Sequence, residues 1–171
     1  MHDESREIRF SGAEALGKLA VHSTKVIPLA TDLKNSIEKC SDPEFYSTYC
    51  HALRLVLESA GKKLSTELRD EIIELMEENI RLGIFLLMAL IKKILDDETS
   101  RLCSAGVLGA CIACHEDPEV EALDDLLDVD CSGQLEALAV IMKLNPEMVL
   151  AKEDLGQKLI GLQEFIKPAQ T

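Results

Sequence analysis

The chain has no tryptophan, and aromatic residues of any kind fill only 4% of its 171 positions. A core must therefore be assembled from Leu, Ile, Val and Ala. That palette suits helices packed on helices better than pleated sheets, which draw on β-branched and aromatic side chains. Basic residues are missing from Leu102 through Met142, a stretch that carries nine acids. This argues against nucleic acid as a direct partner for that half, because phosphate binding demands the opposite sign. Long apolar runs are missing too: the longest, Ile84-Phe85-Leu86-Leu87-Met88-Ala89-Leu90-Ile91, spans eight residues, against the roughly 20 of a membrane-spanning helix. It reads as a buried helix. The opening Met1-His2-Asp3-Glu4-Ser5 is polar and acidic where a secretory leader would turn apolar. That predicts a cytoplasmic location, no membrane association, and reduced thiols for the six cysteines.

What the chain does have is apolar content and acid. Hydrophobic residues make up 47%, and the formal net charge is −13. Of the 18 Lys and Arg, 14 lie in the first 101 residues, so a partner protein would meet two differently charged ends. The length allows one domain with a substantial core, 1–171, and is too short for two.

Three places share one punctuation: Asp42-Pro43, Asp117-Pro118 and Asn145-Pro146. In each, a short side chain able to accept the first free amides of a helix precedes a proline, whose fixed φ suits the first helical position. Between them, apolar residues recur three and four apart, as in Ile8, Leu16 and Leu19, in Leu53, Val56 and Leu57, and in Leu102, Val107, Leu108 and Cys111. The pattern predicts an all-α chain of eight or nine helices: 5–22, 26–40, 43–60, 66–80, 84–95, 98–114, 118–128, 133–144, and 146–166 with a break near Lys152. Helix 66–80 is expected to be able to run on into 84–95, since Gly83 weakens a helix by only about 1 kcal/mol and packing overrides that.

The segments also resemble one another. Ile8-Arg9-Phe10-Ser11-Gly12-Ala13-Glu14-Ala15-Leu16-Gly17 aligns with Ser100-Arg101-Leu102-Cys103-Ser104-Ala105-Gly106-Val107-Leu108-Gly109, with Arg, Ala, Leu and Gly in register. Weaker copies are Cys50-His51-Ala52-Leu53-Arg54 and Glu136-Ala137-Leu138-Ala139. Recurring Gly and Ala have a physical purpose, because they let crossing helices approach to the short end of the usual 8–10 Å range. Register and helix punctuation together indicate a repeat protein.

On these residues the chain resembles a known family. Glu7-Ile8-Arg9 through Ala13-Glu14-Ala15-Leu16-Gly17-Lys18-Leu19 has the form of a HEAT-repeat first helix. Four later segments are similar, in order, to the C-terminal HEAT repeats of the large translational activators that switch on the general amino-acid control kinase: Ala52-Leu53-Arg54, Ala60-Gly61-Lys62-Lys63, Leu68-Arg69-Asp70-Glu71-Ile72, and Asp97-Glu98-Thr99-Ser100-Arg101 leading into Ser104-Ala105-Gly106-Val107-Leu108-Gly109. The likeness covers roughly 5–130 and thins after Ser132. The apolar segment within Arg81 to Lys93 departs from the family's shorter connection there. The resemblance implies a HEAT/armadillo-like right-handed superhelix of about four helical hairpins, taken from a longer solenoid. It also implies a non-enzymatic scaffold that binds the N-terminal RWD domain of that kinase, with ribosome association arising only through a longer parent chain. A basic residue on the family's first helix contacts the kinase; its place here is Arg9, with Arg6 and Lys18 on the same segment. A HEAT or armadillo adaptor for another partner is the nearest alternative.

Three motifs invite other chemistry. Cys111-Ile112-Ala113-Cys114-His115 matches the haem-attachment pattern, with Met142 or Met148 as distal ligands, and with Cys131 it gives a zinc-like set. Attachment needs an export context that this N-terminus does not provide, and the zinc set lacks a second Cys-x-x-Cys. The run from Asp128 imitates a calcium loop, with acids at positions one and three and Gly133 at six, but Ala139 stands where the bidentate Glu belongs. An inter-helix turn capped by Ser132 accounts for it better. His22, His51 and His115 are isolated, no Ser or Cys carries the signature of an activated nucleophile, and the nine glycines are scattered, so neither catalysis, cofactor nor metal is expected.

Overall fold

The computed structural model describes residues 4–87, 94–115, 121–128 and 132–150. Within them lie α1 (Glu4–Ala20), α2 (Val26–Glu38), α3 (Pro43–Ala60), α4 (Thr66–Leu87), α5 (Ile94–Ala113), α6 (Glu121–Asp128), α7 (Ser132–Leu144) and α8 (Pro146–Leu150), with one 3-10 turn, Gly61–Lys63, after α3. No strand occurs among the described residues.

The punctuation works where it can be checked, with one added contact. Asp42 accepts the amides of Glu44 at 2.9 Å and Phe45 at 3.4 Å, and Pro43 occupies the first position of α3. Helix α8 begins at Pro146, and Asn145 before it also donates its side-chain amide to the Ala113 carbonyl at 3.4 Å, closing the end of α5. Asp117-Pro118 lies outside the described residues, as does everything expected of 151–166. Helix α4 runs through Gly83 as anticipated, and α5 starts at Ile94, four residues before the expected 98. No helix of the described residues is long and apolar enough to cross a membrane.

Odd-numbered helices pack in succession, α1 on α3, α3 on α5 and α5 on α7, while α2 lies against α3 and α4, α4 against α5, and α8 against α7. Every second helix thus meets its counterpart from the next pair. This is the stride of an α-solenoid, in which each hairpin buries its apolar stripe on its neighbours rather than on itself. The seam is continuous: Leu53, Val56 and Leu57 of α3, Ile72 and Met76 of α4, Leu108 and Ile112 of α5, Leu123 of α6 and Ile141 of α7 are all buried in one cluster. Burying each such side chain contributes about 1.5–3 kcal/mol.

The repeated glycines set the spacing of the odd layer. A Cβ on Gly17 of α1 would sit 2.7 Å from the Cβ of Leu55 on α3, and one on Gly109 of α5 would strike the backbone of Ala137 on α7, with the Ala137 Cα at 2.9 Å. The two glycines that align in sequence therefore occupy equivalent crossings. No described glycine has a positive φ, so their role is steric.

Directional contacts pin the apolar layers. The Tyr46 hydroxyl of α3 shares a hydrogen bond with Ser104 Oγ of α5 at 2.6 Å and accepts Asn79 Nδ2 of α4 at 2.9 Å. Arg69 of α4 is 2% exposed and donates Nη1 to the Cys114 carbonyl at 2.8 Å, closing the same helix end as Asn145. The outer residues of α1 depart from expectation. Ile8 and Leu19 share an apolar periodicity, yet they are 71% and 65% exposed, because α1 turns Ala13, Gly17 and Ala20 to α3 and has nothing described on its other side.

Gly109→Ala should destabilise the protein by roughly 1–3 kcal/mol, since the new methyl meets backbone that can yield only if α5 and α7 separate. Gly12→Ala, with nothing within 4 Å of its Cβ, should stabilise by about 0.5–1 kcal/mol through helix propensity alone. Urea unfolding of the two variants checks the opposite signs.

Candidate partner-binding surface

The N-terminal ends of α1 and α3 and the start of α5 enclose a cleft of about 230 Å³ lined by Arg6, Arg9, Phe10, Pro43, Glu44, Ser47 and Thr99. Asp42-Pro43 begins α3 at this level, which is why Glu44 reaches Arg9. The Arg9 guanidinium pairs with Glu44 at 2.9 Å, donates to Ser5 Oγ at 3.1 Å, and lies 5.3 Å above the Phe45 ring. Its side chain is only 20% exposed. Arg9 therefore clamps α1 to α3 and offers one edge to the cleft. Arg6, one turn earlier, is exposed and covers the Phe10 ring at 5.6 Å. Lys18 is exposed near the far end of α1 and does not line the cleft. Of the three basic residues picked out in sequence, two converge and one stands apart.

Sequence reasoning did not single out the aromatic rim. Phe45 is 44% exposed, and with Tyr49, at 6.4 Å between ring centroids, it lines a second, open recess of about 710 Å³ beside Asp32, Asn35 and Lys39. In a chain with four Phe and two Tyr, an aromatic in the first turn after Asp-Pro was the available signal. Exposed aromatics of this kind anchor protein interfaces.

A charged clasp crosses the odd layer farther along. Arg54 of α3 pairs with Glu58 at 2.9 Å and reaches over α5 to Glu136 of α7 at 3.2 Å, while Lys143 of α7 returns to Glu58 at 3.1 Å. Gly106 leaves the path open, since a Cβ there would lie 3.1 Å from Arg54 Nη1. Burial alone would raise the Glu58 carboxyl, but hydrogen bonds from Arg54 and Lys143 outweigh it and hold the group below the ordinary carboxylate range.

The motifs that suggested metal or haem resolve into packing. Cys111 Sγ donates to the Arg69 carbonyl at 3.4 Å and Cys114 Sγ to the Leu57 carbonyl at 3.2 Å, so the thiols point at different helices, while His115 faces Asp70 at 3.5 Å. Cys131 lies outside the described residues. Among those described, no cluster of three His, Cys, Asp or Glu could hold a metal ion. The calcium-like run cannot form its loop, because α7 begins at Ser132 and positions five to eight are already helical. Glu136, at position nine, is taken by Arg54.

Comparison with known proteins agrees with this architecture. Residues 27–161 match the family described as "Stalled ribosome sensor GCN1-like, HEAT repeats". The chain is 34% identical over 180 aligned residues to the human protein named "Stalled ribosome sensor GCN1", an alignment covering 100% of this chain and 6% of that protein. It is 33% identical over 134 residues to the mouse protein of the same name, covering 78% of this chain and 4% of the relative. The Arabidopsis thaliana protein named "Protein ILITYHIA" is 25% identical over 175 residues, covering 98% of this chain and 6% of that protein. The chain thus spans a small fraction of each relative's length. No solved structure matches it.

Buried titratable groups give two measurable expectations. Desolvation, then the charge of Arg54, lowers the His51 pKa below its ordinary 6.5, against the opposing pull of Glu14 and Glu58. The unfolded chain therefore takes up a proton before the folded one does, so stability is full above about pH 6.5 and falls as pH drops toward the folded value. NMR titration should place His51 below 6.5, and His51→Gln should flatten that part of the stability–pH curve. Burial likewise pushes the Cys50, Cys103, Cys111 and Cys114 thiols up. Ellman's reagent at pH 8 should leave Cys50 and Cys111 unmodified in the native protein and label them in denaturant.

Proposed function

Because the chain belongs to the GCN1-like family of stalled-ribosome-sensor HEAT repeats, we propose that it is a non-enzymatic, cytoplasmic scaffold whose partner is the RWD domain of the general amino-acid control kinase. Support comes from the cleft between α1 and α3, where a rigid layer presents Arg6 and one edge of Arg9 beside the exposed Phe45 rim. The arrangement suits recognition of a folded domain. An aromatic supplies buried area, arginines supply directional hydrogen bonds to carboxylates, and the surrounding helices hold both in place. With a net charge of −13, contact through protein surface is favoured over contact through ribosomal RNA.

Arg9 has two jobs on this reading, because its charge also holds Glu44. Its reversal would disturb α1 as well as the partner. Arg6 gives the cleaner test, being exposed and outside that ion pair. In a binding titration against the isolated RWD domain, Arg6→Glu should weaken affinity by about tenfold, roughly 1.4 kcal/mol, and Phe45→Ala by at least as much. Lys18→Glu, away from the cleft, should have the smaller effect. Unchanged binding in both Arg6→Glu and an Arg9→Glu variant that keeps its helicity would reject the assignment. Absence of binding by the unaltered chain would leave an adaptor for a different protein.

A further inference from the structure

We propose that the edge of the odd layer where α1 and α3 end is a docking surface for a short acidic segment of a partner protein, read by Lys18, Lys25, Lys62 and Lys63. All four lysines are exposed. They come from the link between α1 and α2 and from the 3-10 turn after α3. The Lys63 ammonium donates to the Val21 carbonyl at 2.6 Å, which holds the second turn against the first. Lys18 lies four residues before His22 and shares its face of the helix end, and Lys25 stands just beyond in the same link. Each turn joins two helices of this chain and so lies along the side of the layer. Repeats stack on one another through their helix faces, which leaves such turns in solvent however many repeats adjoin.

The backbone of this surface is fixed in advance. A Cβ on Gly61 would lie 2.6 Å from Cys114 Sγ, so the turn carrying Lys62 and Lys63 is clamped on the end of α5, and the Leu64 amide closes it on the Gly61 carbonyl at 3.1 Å. In the neighbouring link, the amides of His22 and Ser23 donate to the Leu19 and Ala20 carbonyls at 3.1 and 3.2 Å. Binding then has little beyond lysine rotamers left to order.

Helix dipoles account for part of the charge, since cations are favoured where α1 and α3 end. They do not account for Lys25. It stands immediately before α2, where a cation opposes the dipole and where Ser, Thr, Asp or Asn would cap, yet its side chain makes no cap bond and the first turn of α2 holds no acid. Nor are these charges neutralised within the fold. Arg9, Lys34, Arg54 and Lys143 all pair with carboxylates. None of the four lysines of this edge does, although Glu14 and Glu67 stand four residues from Lys18 and Lys63. In a chain of net charge −13, cations gathered on two adjoining turns make a local positive field.

The surrounding charge selects the class of ligand. Along α4 from this edge follow Glu67, Asp70 and Glu74, all exposed. A nucleic-acid backbone carries its charge onward past the lysines and meets them. A protein segment can present about six carboxylates over roughly 20 Å of extended chain and turn neutral beyond.

Fluorescence anisotropy of labelled hexaglutamate against the 171-residue chain tests the proposal. Binding should saturate, and should weaken about tenfold between roughly 50 and roughly 300 mM salt. Lys18→Glu, Lys25→Glu and Lys62→Glu should each weaken it by about threefold or more with helicity unchanged, since all three side chains are exposed, and the triple variant should abolish it. In the unaltered protein, NMR amide shifts on adding the peptide should centre on residues 18–25 and 61–65. Absence of binding, unaltered binding in the triple variant, shifts centred on Arg6 and Arg9, or hexauridylate binding as tightly as hexaglutamate would each overturn the proposal. Neither probe contains the RWD domain and none of the substituted lysines lines the cleft between α1 and α3, so the result stands apart from the kinase-binding assignment.

Discussion

Everything in this molecule depends on how closely the odd-numbered helices cross. Gly17 against Leu55 and Gly109 against the Ala137 backbone leave no room for a methyl group, and at that separation the aliphatic side chains of α3, α4, α5 and α7 interlock into one seam. A chain with 4% aromatics has few large rings to bridge wider gaps. Its core can reach native packing density only if the backbones come close. Leu, Ile and Val can then supply the burial, and the even-numbered helices can lie behind without leaving cavities.

Apolar contact of this kind is non-directional, so it fixes distance and leaves rotation and slide weakly determined. The buried polar contacts supply what is missing. Tyr46 joins α3, α4 and α5 through Asn79 and Ser104, and Arg69 and Asn145 converge on the last carbonyls of α5. Each lies where helices from different hairpins meet. A slip of one residue in any of the three helices would strand a buried donor or acceptor, at a cost of about 1–3 kcal/mol. The clasp of Arg54, Glu58, Glu136 and Lys143 repeats the device at the surface, spanning three helices of the odd layer.

Much of this was legible in the sequence for identifiable reasons. Asp42-Pro43 fixed the start of α3 because a capping carboxylate and a proline act locally and need no tertiary context. The alignment of Gly17 with Gly109 was readable because the same steric demand recurs at each crossing. Ile8 and Leu19 were harder, since periodicity reveals that a helix has an apolar face and says nothing of whether that face is covered. Asn145 was readable as the residue before α8, but its Nδ2 donation to the Ala113 carbonyl at the end of α5 depends on a partner distant in sequence. Arg9 shows the same limit: its charge is evident from the sequence, but its commitment to Glu44 and Phe45 emerges only once α1 lies on α3.

That commitment bears on how such a scaffold can recognise anything. Arg9, Arg54, Lys34 and Lys143 each pair with a carboxylate within the chain, and Arg69 is spent on a carbonyl. Cations used this way hold neighbouring helices together, and most of their field is cancelled at a distance comparable to the ~8 Å screening length. At the cleft between α1 and α3, Arg6 projects into solvent against a strongly acidic background. That places a localised positive feature beside the exposed Phe45 rim, on helices held by the same crossings that build the core. Such a division of labour, with paired charges tying neighbouring helices together and an unpaired one left at the edge, is the arrangement by which electrostatic complementarity would give a scaffold specificity without costing it its internal contacts.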